Sequence, residues 1–377
     1  MDSSSSTLLC NPSFFQTKQN ILPSQFIWPK DDVVNESYEE LNEPLIDLAG
    51  FFSGNTGETI KAAELLHTAC INHGFFQVTN HGVDEWVVSA AHREADALFK
   101  LRNDKKMSLK RKAGSIWGYS GAHSDRYSSK LPWKETFSFR YDYGSSATNT
   151  MVHEYFTSVI GTEFEEAGIV YQWYCVAMEK LSLAIFELLA ISLGVEQQHF
   201  KKFFEDGTSI MRCNYYPRCN EPGLTLGTGP HTDPTALTIL HQDQVGGLQV
   251  FASNKWQSVR PRQDAFVVNI GDTFKALTNG IYKSCMHRAV VNKEQERKSL
   301  VYFVCPRDDK IVRAVEDLVD KEYGTRMYPD FTWSDLFTFT QSHYRADNST
   351  LVSFFSWLLP DPTTSNQSSL KLPSLIN

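Results

Sequence analysis

In LGTGPHTDPTALTIL (residues 226–240) a histidine and an aspartate, His231 and Asp233, stand two apart where a glycine-rich turn gives way to alternating apolar residues. Successive side chains of a strand point to opposite faces, so residues two apart share one. An imidazole and a carboxylate on one face can converge on a single cation. The chain holds two further H-x-D pairs, His123/Asp125 and His241/Asp243. Taken alone, each pair reads better as a surface histidine hydrogen-bonded to a nearby carboxylate.

A third donor changes the weighting. His287, in SCMHRAVV, falls on a separate predicted strand 54 residues after Asp233, and two or three intervening strands can bring the chain back beside its start. Two histidines and one carboxylate on one side of an ion leave half of an octahedron open, the arrangement of non-haem Fe(II) oxygenases. A zinc hydrolase would keep a single open position instead. Ten residues beyond His287, in ERKSLVYF, Arg297 and Ser299 share a strand face. An inward arginine is costly unless an anion neutralises it, and its fork with a nearby hydroxyl suits a carboxylate. A salt bridge to an Asp or Glu would satisfy Arg297 as well; beside the metal set, a small keto-dicarboxylate is the better partner. On these grounds alone His241/Asp243 remains a rival to His231/Asp233.

The elements that must position these groups follow from periodicity. From about 206 to 310 the apolar period is two: SIMRCNYYP, TALTILHQD, GLQVFAS, KWQSVRP, DAFVVNIGD, SCMHRAVVN and RKSLVYFVCP read as short strands separated by Gly, Pro and Asn. That pattern predicts an antiparallel sandwich or barrel. Residues 41–205 read as mainly helical with a few strands, among them PLIDLAG and FFQVTN. Helices are expected at 61–74, at 84–101 with Asp84 as its cap, and at 164–193 with Gly194 just past its end. Helical character returns at 311–359. Residues 1–40 read as largely irregular and 360–377 as a disordered tail. The fold expected is α+β: a double-stranded β-helix, or jelly roll, flanked by helices.

The 377 residues are 41% hydrophobic and 13% aromatic, with a formal net charge of -8. This is a globular balance that argues against broad binding to nucleic acid or anionic membrane. Seven cysteines form an odd, scattered set without a CxxC pair, which fits a reducing compartment. No segment resembles a signal peptide or membrane span, so a cytoplasmic protein is expected; the sequence does not fix the oligomeric state, for which a monomer is the expectation.

With these residues in place, the chain resembles the plant 2-oxoglutarate and Fe(II)-dependent dioxygenases, whose H-x-D, distant H and R-x-S signature matches His231-Thr-Asp233, His287 and Arg297-Lys-Ser299. NYYPRC (214–219) is similar to the family's N-Y-Y-P element and ACINHGFFQVTNHG (69–82) to its N-terminal segment. The resemblance selects His231/Asp233 among the three pairs. It implies Fe(II) held by His231, Asp233 and His287, and 2-oxoglutarate held by Arg297 and Ser299 with help from Asn214 and Tyr216. It also implies dioxygen as oxidant, ascorbate as reductant, and succinate and CO2 as coproducts.

A closer resemblance, carried by FIWP (26–29), LPWKETFSFR (131–140) and YPDFTWSDLFTFTQSHYRAD, is to the branch of the family that makes a plant hormone by oxidising C-20 of tetracyclic diterpenoid acids. It implies such an acid as substrate, with Trp133 and Lys134 of LPWKET as candidate contacts. Thr232, Ala236 and Arg218 depart from the usual pattern, which leaves the reaction class untouched and weakens any inference about product pattern. A flavonoid or another hormone acid as substrate, and a non-catalytic hormone-binding barrel, are the alternatives.

Overall fold

The computed structural model describes residues 22–359 apart from 31, 34–38, 113–114, 124–129, 145–149, 323 and 344–349. The tail expected at 360–377, the first 21 residues and Asp125 therefore lie outside the described residues.

Twelve strands make two facing sheets. In chain order they are β1 (Leu45–Asp47), β2 (Phe75–Thr79), β3 (Gly118–Gly121), β4 (Glu135–Asp142), β5 (Thr208–Tyr216), β6 (Thr228–His231), β7 (Leu237–Gln242), β8 (Leu248–Ala252), β9 (Lys255–Ser258), β10 (Phe266–Ile270), β11 (His287–Ala289) and β12 (Arg297–Cys305). The larger sheet has the order β1-β2-β10-β7-β12-β5-β4-β3 and the smaller β6-β11-β8-β9. This is the expected jelly roll, and the strands predicted between 206 and 310 form its centre. The mainly helical stretch before them contributes more than helices, because β1 to β4 extend the larger sheet at both ends.

Alternation along the central strands decides what faces inward. On β5, Ile210, Arg212, Asn214 and Tyr216 line the space between the sheets, while Met211 and Cys213 are buried against the helices outside. The helices α1 (Thr56–Asn72), α2 (Glu85–Phe99) and α3 (Glu165–Leu193) cover that outer face. α1 begins at Thr56, five residues before the expected 61, capped by the Asn55 side chain, while α2 and α3 carry the signals read from sequence. Asp84 accepts from Trp86 N at the head of α2, and Gly194 takes φ 66° at the end of α3, a backbone angle glycine adopts without steric cost. A fourth helix, α4 (Trp333–His343), lends Trp333, Phe337, Thr340 and Gln341 to the open end of the inter-sheet space.

The outer core is mostly aliphatic and aromatic, but it encloses one ion pair. Lys106 Nζ donates to Glu135 Oε2 at 2.7 Å with both side chains 2% exposed, and Tyr119 OH donates to the same oxygen. Glu135 opens β4, so this pair fixes the strand just after Lys134. No helix of the described residues is long and apolar enough to cross a membrane.

Candidate active site

His231 and His287 are direct partners in the β6–β11 ladder, which explains how residues far apart in the chain meet. Their rings stand 4.3 Å apart between centroids. Asp233, just beyond β6, places Oδ1 3.4 Å from His231 Nε2 and Oδ2 3.6 Å from His287 Nε2. One donor atom from each of the three lies within 4.8 Å of the others.

The hydrogen bonds on the far side of each ring settle the tautomers. His231 Nδ1 is 2.8 Å from Gly229 O and His287 Nδ1 is 3.1 Å from Cys285 O. A carbonyl can only accept, so each Nδ1 carries the proton and each Nε2 presents a lone pair toward Asp233. Burial, reinforced by the neighbouring His231, pushes His287 down to about 4, which keeps it a neutral ligand. For Asp233 burial acts upward, yet the net shift is downward, and a 2.6 Å bond donated by Thr238 Oγ1 favours the ionised carboxylate. Two imidazoles with Nε2 turned to a shared carboxylate suit a divalent metal, and the residues fit Fe(II).

The second half of the site follows from strand register. Arg297 pairs with Tyr216 and Ser299 with Asn214 across β12 and β5. Arg297 is 2% exposed; its Nη2 donates to Gln242 Oε1 at 2.9 Å and its guanidinium lies 4.9 Å from the Tyr216 ring centroid. Its Nε and Nη1 are buried without a partner, and no carboxylate among the described residues is within ion-pair distance. Asn214 Nδ2 donates to Ser299 Oγ at 3.2 Å, and Asn214 Oδ1 is buried unpartnered. A buried cation with two idle donors beside a hydroxyl is costly unless an anion occupies the space in front of it. The residues fit the distal carboxylate of 2-oxoglutarate.

Both halves open into one cavity of about 490 Å³, within the usual range for small-molecule sites. Lys134 lines it, 6% exposed, donating to Thr228 Oγ1 at 3.0 Å. Burial, with repulsion from Arg212 and against attraction to Asp233, pushes its ammonium well below the ordinary lysine range. Trp133 is not brought to the cavity. Its ring packs edge-on against Phe26 at 5.1 Å and its Nε1 donates to Pro217 O at 3.2 Å. The cause is a tight turn ahead of β4, closed by Lys134 N donating to Pro132 O at 2.9 Å: Pro132 and Lys134 line the cavity and the side chain between them points elsewhere.

The rival pair His241/Asp243 is otherwise engaged. His241 uses Nδ1 on His92 at 2.8 Å and Nε2 on Gln263 O at 3.1 Å, while Asp243 accepts from the backbone of Val245 and Lys298. His123 lines the cavity, with its partner Asp125 outside the described residues. Sequence reasoning missed Thr238 and Gln242. Both share a face of β7 with Leu240, and alternation through TALTILHQ would have grouped them.

Two family profiles match the chain: the 2OG-Fe(II) oxygenase superfamily over residues 207–306, and the non-haem dioxygenase in morphine synthesis N-terminal region over 44–156. Gibberellin 20 oxidase 2 of Arabidopsis thaliana is 51% identical over 94% of this chain and 92% of its own length. Gibberellin 20 oxidase 3 of the same plant is 53% identical over 89% of each chain, and gibberellin 20 oxidase 1-B of Triticum aestivum is 51% identical over 90% of this chain and 92% of its own. Among solved structures, JOX2 in complex with 2OG, Fe and JA superposes with a TM-score of 0.76 at 29% identity, covering 91% of this chain and 96% of that one. A rice dioxygenase for auxin oxidation gives 0.66 at 27% identity over 79% and 95%.

Proposed function

This chain belongs to the gibberellin 20-oxidase family of 2OG-Fe(II) oxygenases, and from that premise we propose that it oxidises C-20 of C20-gibberellins such as GA12 or GA53 stepwise, through alcohol and aldehyde, and removes it to give C19-gibberellin lactones. One observation carries the site assignment: three metal-ready donors share a cavity with a buried arginine whose idle donors await an anion.

When bound, Fe(II) with 2-oxoglutarate supplies the activation of dioxygen, coupled to formation of succinate and CO2, needed to attack an unactivated carbon. His231, Asp233 and His287 would hold the metal, their orientation fixed in advance by the Gly229 and Cys285 carbonyls and by Thr238. Arg297 and Ser299 would bind the distal carboxylate of 2-oxoglutarate, with Asn214 and Tyr216 shaping the pocket around it. Pairing there is charge-assisted and, through the guanidinium fork, directional. Lys134 is our candidate for a substrate carboxylate, held in place by the packing of Trp133 beside it. The chain's contribution is positioning and exclusion of water rather than proton transfer. Ascorbate as reductant and a cytoplasmic, monomeric enzyme complete the proposal.

The test is a pair of incubations, aerobic and anaerobic, with Fe(II), 2-oxoglutarate and GA12, followed by product identification. The proposal requires oxidised gibberellins and succinate only with oxygen. Turnover of a flavanone supplied alongside, with GA12 untouched, would overturn the substrate assignment.

A further inference from the structure

The glycine-rich run before His231 has a role that metal binding does not explain. A Cβ at Gly227 would lie 2.5 Å from Cδ1 of Tyr216, and one at Gly229 would lie 2.1 Å from Cη2 and 2.5 Å from Cζ3 of Trp28. The two glycines are therefore seats for two aromatic rings. The first ring belongs to the cosubstrate end of the cavity. The second comes from the N-terminal segment and has no part in the reaction described above.

Trp28 is held from several directions. Its backbone N donates to Leu224 O at 3.0 Å, its indole Nε1 donates to Leu131 O at 3.3 Å, and the Lys130 ammonium stands 5.7 Å from its ring centroid. Lys130 in turn pairs with Asp32 at 3.2 Å. Arg288, next to His287, donates Nη1 to Asp32 O at 2.7 Å. The segment is thus fastened beside both imidazole ligands, and the 5% exposed indole lines the cavity together with Lys134, Thr228 and His231.

We propose that Trp28 is a specificity-determining residue, its indole forming the wall against which the apolar body of a fused-ring acid lies while Lys134 takes a carboxylate, and that Gly229 exists to seat it. The inference rests on the function proposed above. A rigid aromatic with two side-chain torsions offers a large apolar surface at little entropic cost, and it keeps water from the carbon being oxidised.

The experiment compares wild type with Trp28→Ala, Trp28→Phe, Gly229→Ala and the Trp28→Ala/Gly229→Ala double variant, all checked for folding by thermal melting. For Trp28→Ala the KM for the diterpenoid acid should rise about tenfold or more. Succinate release should become uncoupled from substrate oxidation, and acids carrying extra bulk should gain relative to the natural one. Affinities for 2-oxoglutarate and Mn(II), measured by calorimetry, should stay within about twofold of wild type on the same proposal. Trp28→Phe should fall between. Gly229→Ala should displace the ring and raise KM similarly, and the double variant should be no worse than Trp28→Ala, since removing the indole removes the clash.

Unchanged KM and coupling in Trp28→Ala would overturn the proposal. So would additive losses in the double variant, or a loss of Mn(II) affinity matching the rise in KM. If Trp28→Ala does not fold, Trp28→Phe and Gly229→Ala decide by the same criteria. Should wild type ignore gibberellins and oxidise another acid, the reading of function fails alone, and the same comparison on that acid still decides the role of Trp28.

Discussion

Replacing Arg297 isolates the cosubstrate half of the site. The guanidinium spends Nη2 on Gln242 and keeps Nε and Nη1 for a ligand. A hydrogen bond to a charged group contributes about 1.5–3 kcal/mol. Arg297→Lys keeps the charge but loses the fork, so one such bond is forfeited and the 2-oxoglutarate KM should rise about ten- to a hundredfold. Arg297→Gln removes the charge as well, for about 2–5 kcal/mol, or about thirtyfold to several thousandfold in affinity. The assay is succinate release against 2-oxoglutarate concentration, repeated with 2-oxopentanoate, which carries a methyl where the distal carboxylate stands. Wild type should discriminate strongly between the two keto acids, and Arg297→Gln should lose most of that discrimination. Thermal melting gives a second readout free of catalysis. With Mn(II) present, 2-oxoglutarate at about a hundred times its wild-type Kd should stabilise wild type by about 2.7 kcal/mol and the Gln variant by at most about 0.9 kcal/mol. Undiminished preference for 2-oxoglutarate in Arg297→Gln would refute the assignment, whatever happened to overall rate.

Other consequences can be checked independently. Alanine at His231 or Asp233 should abolish succinate formation and Mn(II) binding while leaving the far-UV circular dichroism unchanged. Glu135→Gln strands the buried Lys106 ammonium and should cost about 3–5 kcal/mol in a denaturant titration, whereas Lys106→Met with Glu135→Leu should recover most of it. His92 is pushed by burial, and then by His241, Lys298 and Arg297, down to about 3 from its ordinary 6.5. The unfolded chain therefore takes up that proton first as pH falls, so stability should decline from about pH 6.5 toward 3, and His92→Gln should flatten the profile. Chelation should silence turnover, with Fe(II) but not Zn(II) restoring it.

The candidate metal and cosubstrate residues were legible in part because strand alternation is a local rule, while the choice among the three H-x-D pairs, and Asn214 and Tyr216, came from the family resemblance. H-x-D and R-x-S each declare a shared face, and His287 falls where β11 returns beside β6. The contents of the other face were harder to read. LPWKET offered Trp133 and Lys134 alike as contacts; that only Lys134 meets the cavity depends on the turn before β4 and on where β4 pairing with β5 sets it, a non-local choice. The same holds for β3 and β4, which join the main sheet from a stretch read as mainly helical, whereas β1 and β2 are the strands expected at PLIDLAG and FFQVTN. Alternation groups Gln242 with Thr238 on one face of β7, but its place beside Arg297 shows only once β7 lies beside β12. Trp28 was hidden most completely, because nothing within FIWP tells which distant glycine its indole will cover.

The most direct measurement is a crystal structure grown without oxygen from protein loaded with Fe(II) and 2-oxoglutarate. The account predicts one iron bonded to His231 Nε2, His287 Nε2 and an Asp233 oxygen, with the keto acid chelated opposite them and its far carboxylate against Arg297 and Ser299. Iron bound by His241 and Asp243, or a keto acid whose far carboxylate points away from Arg297, would contradict it.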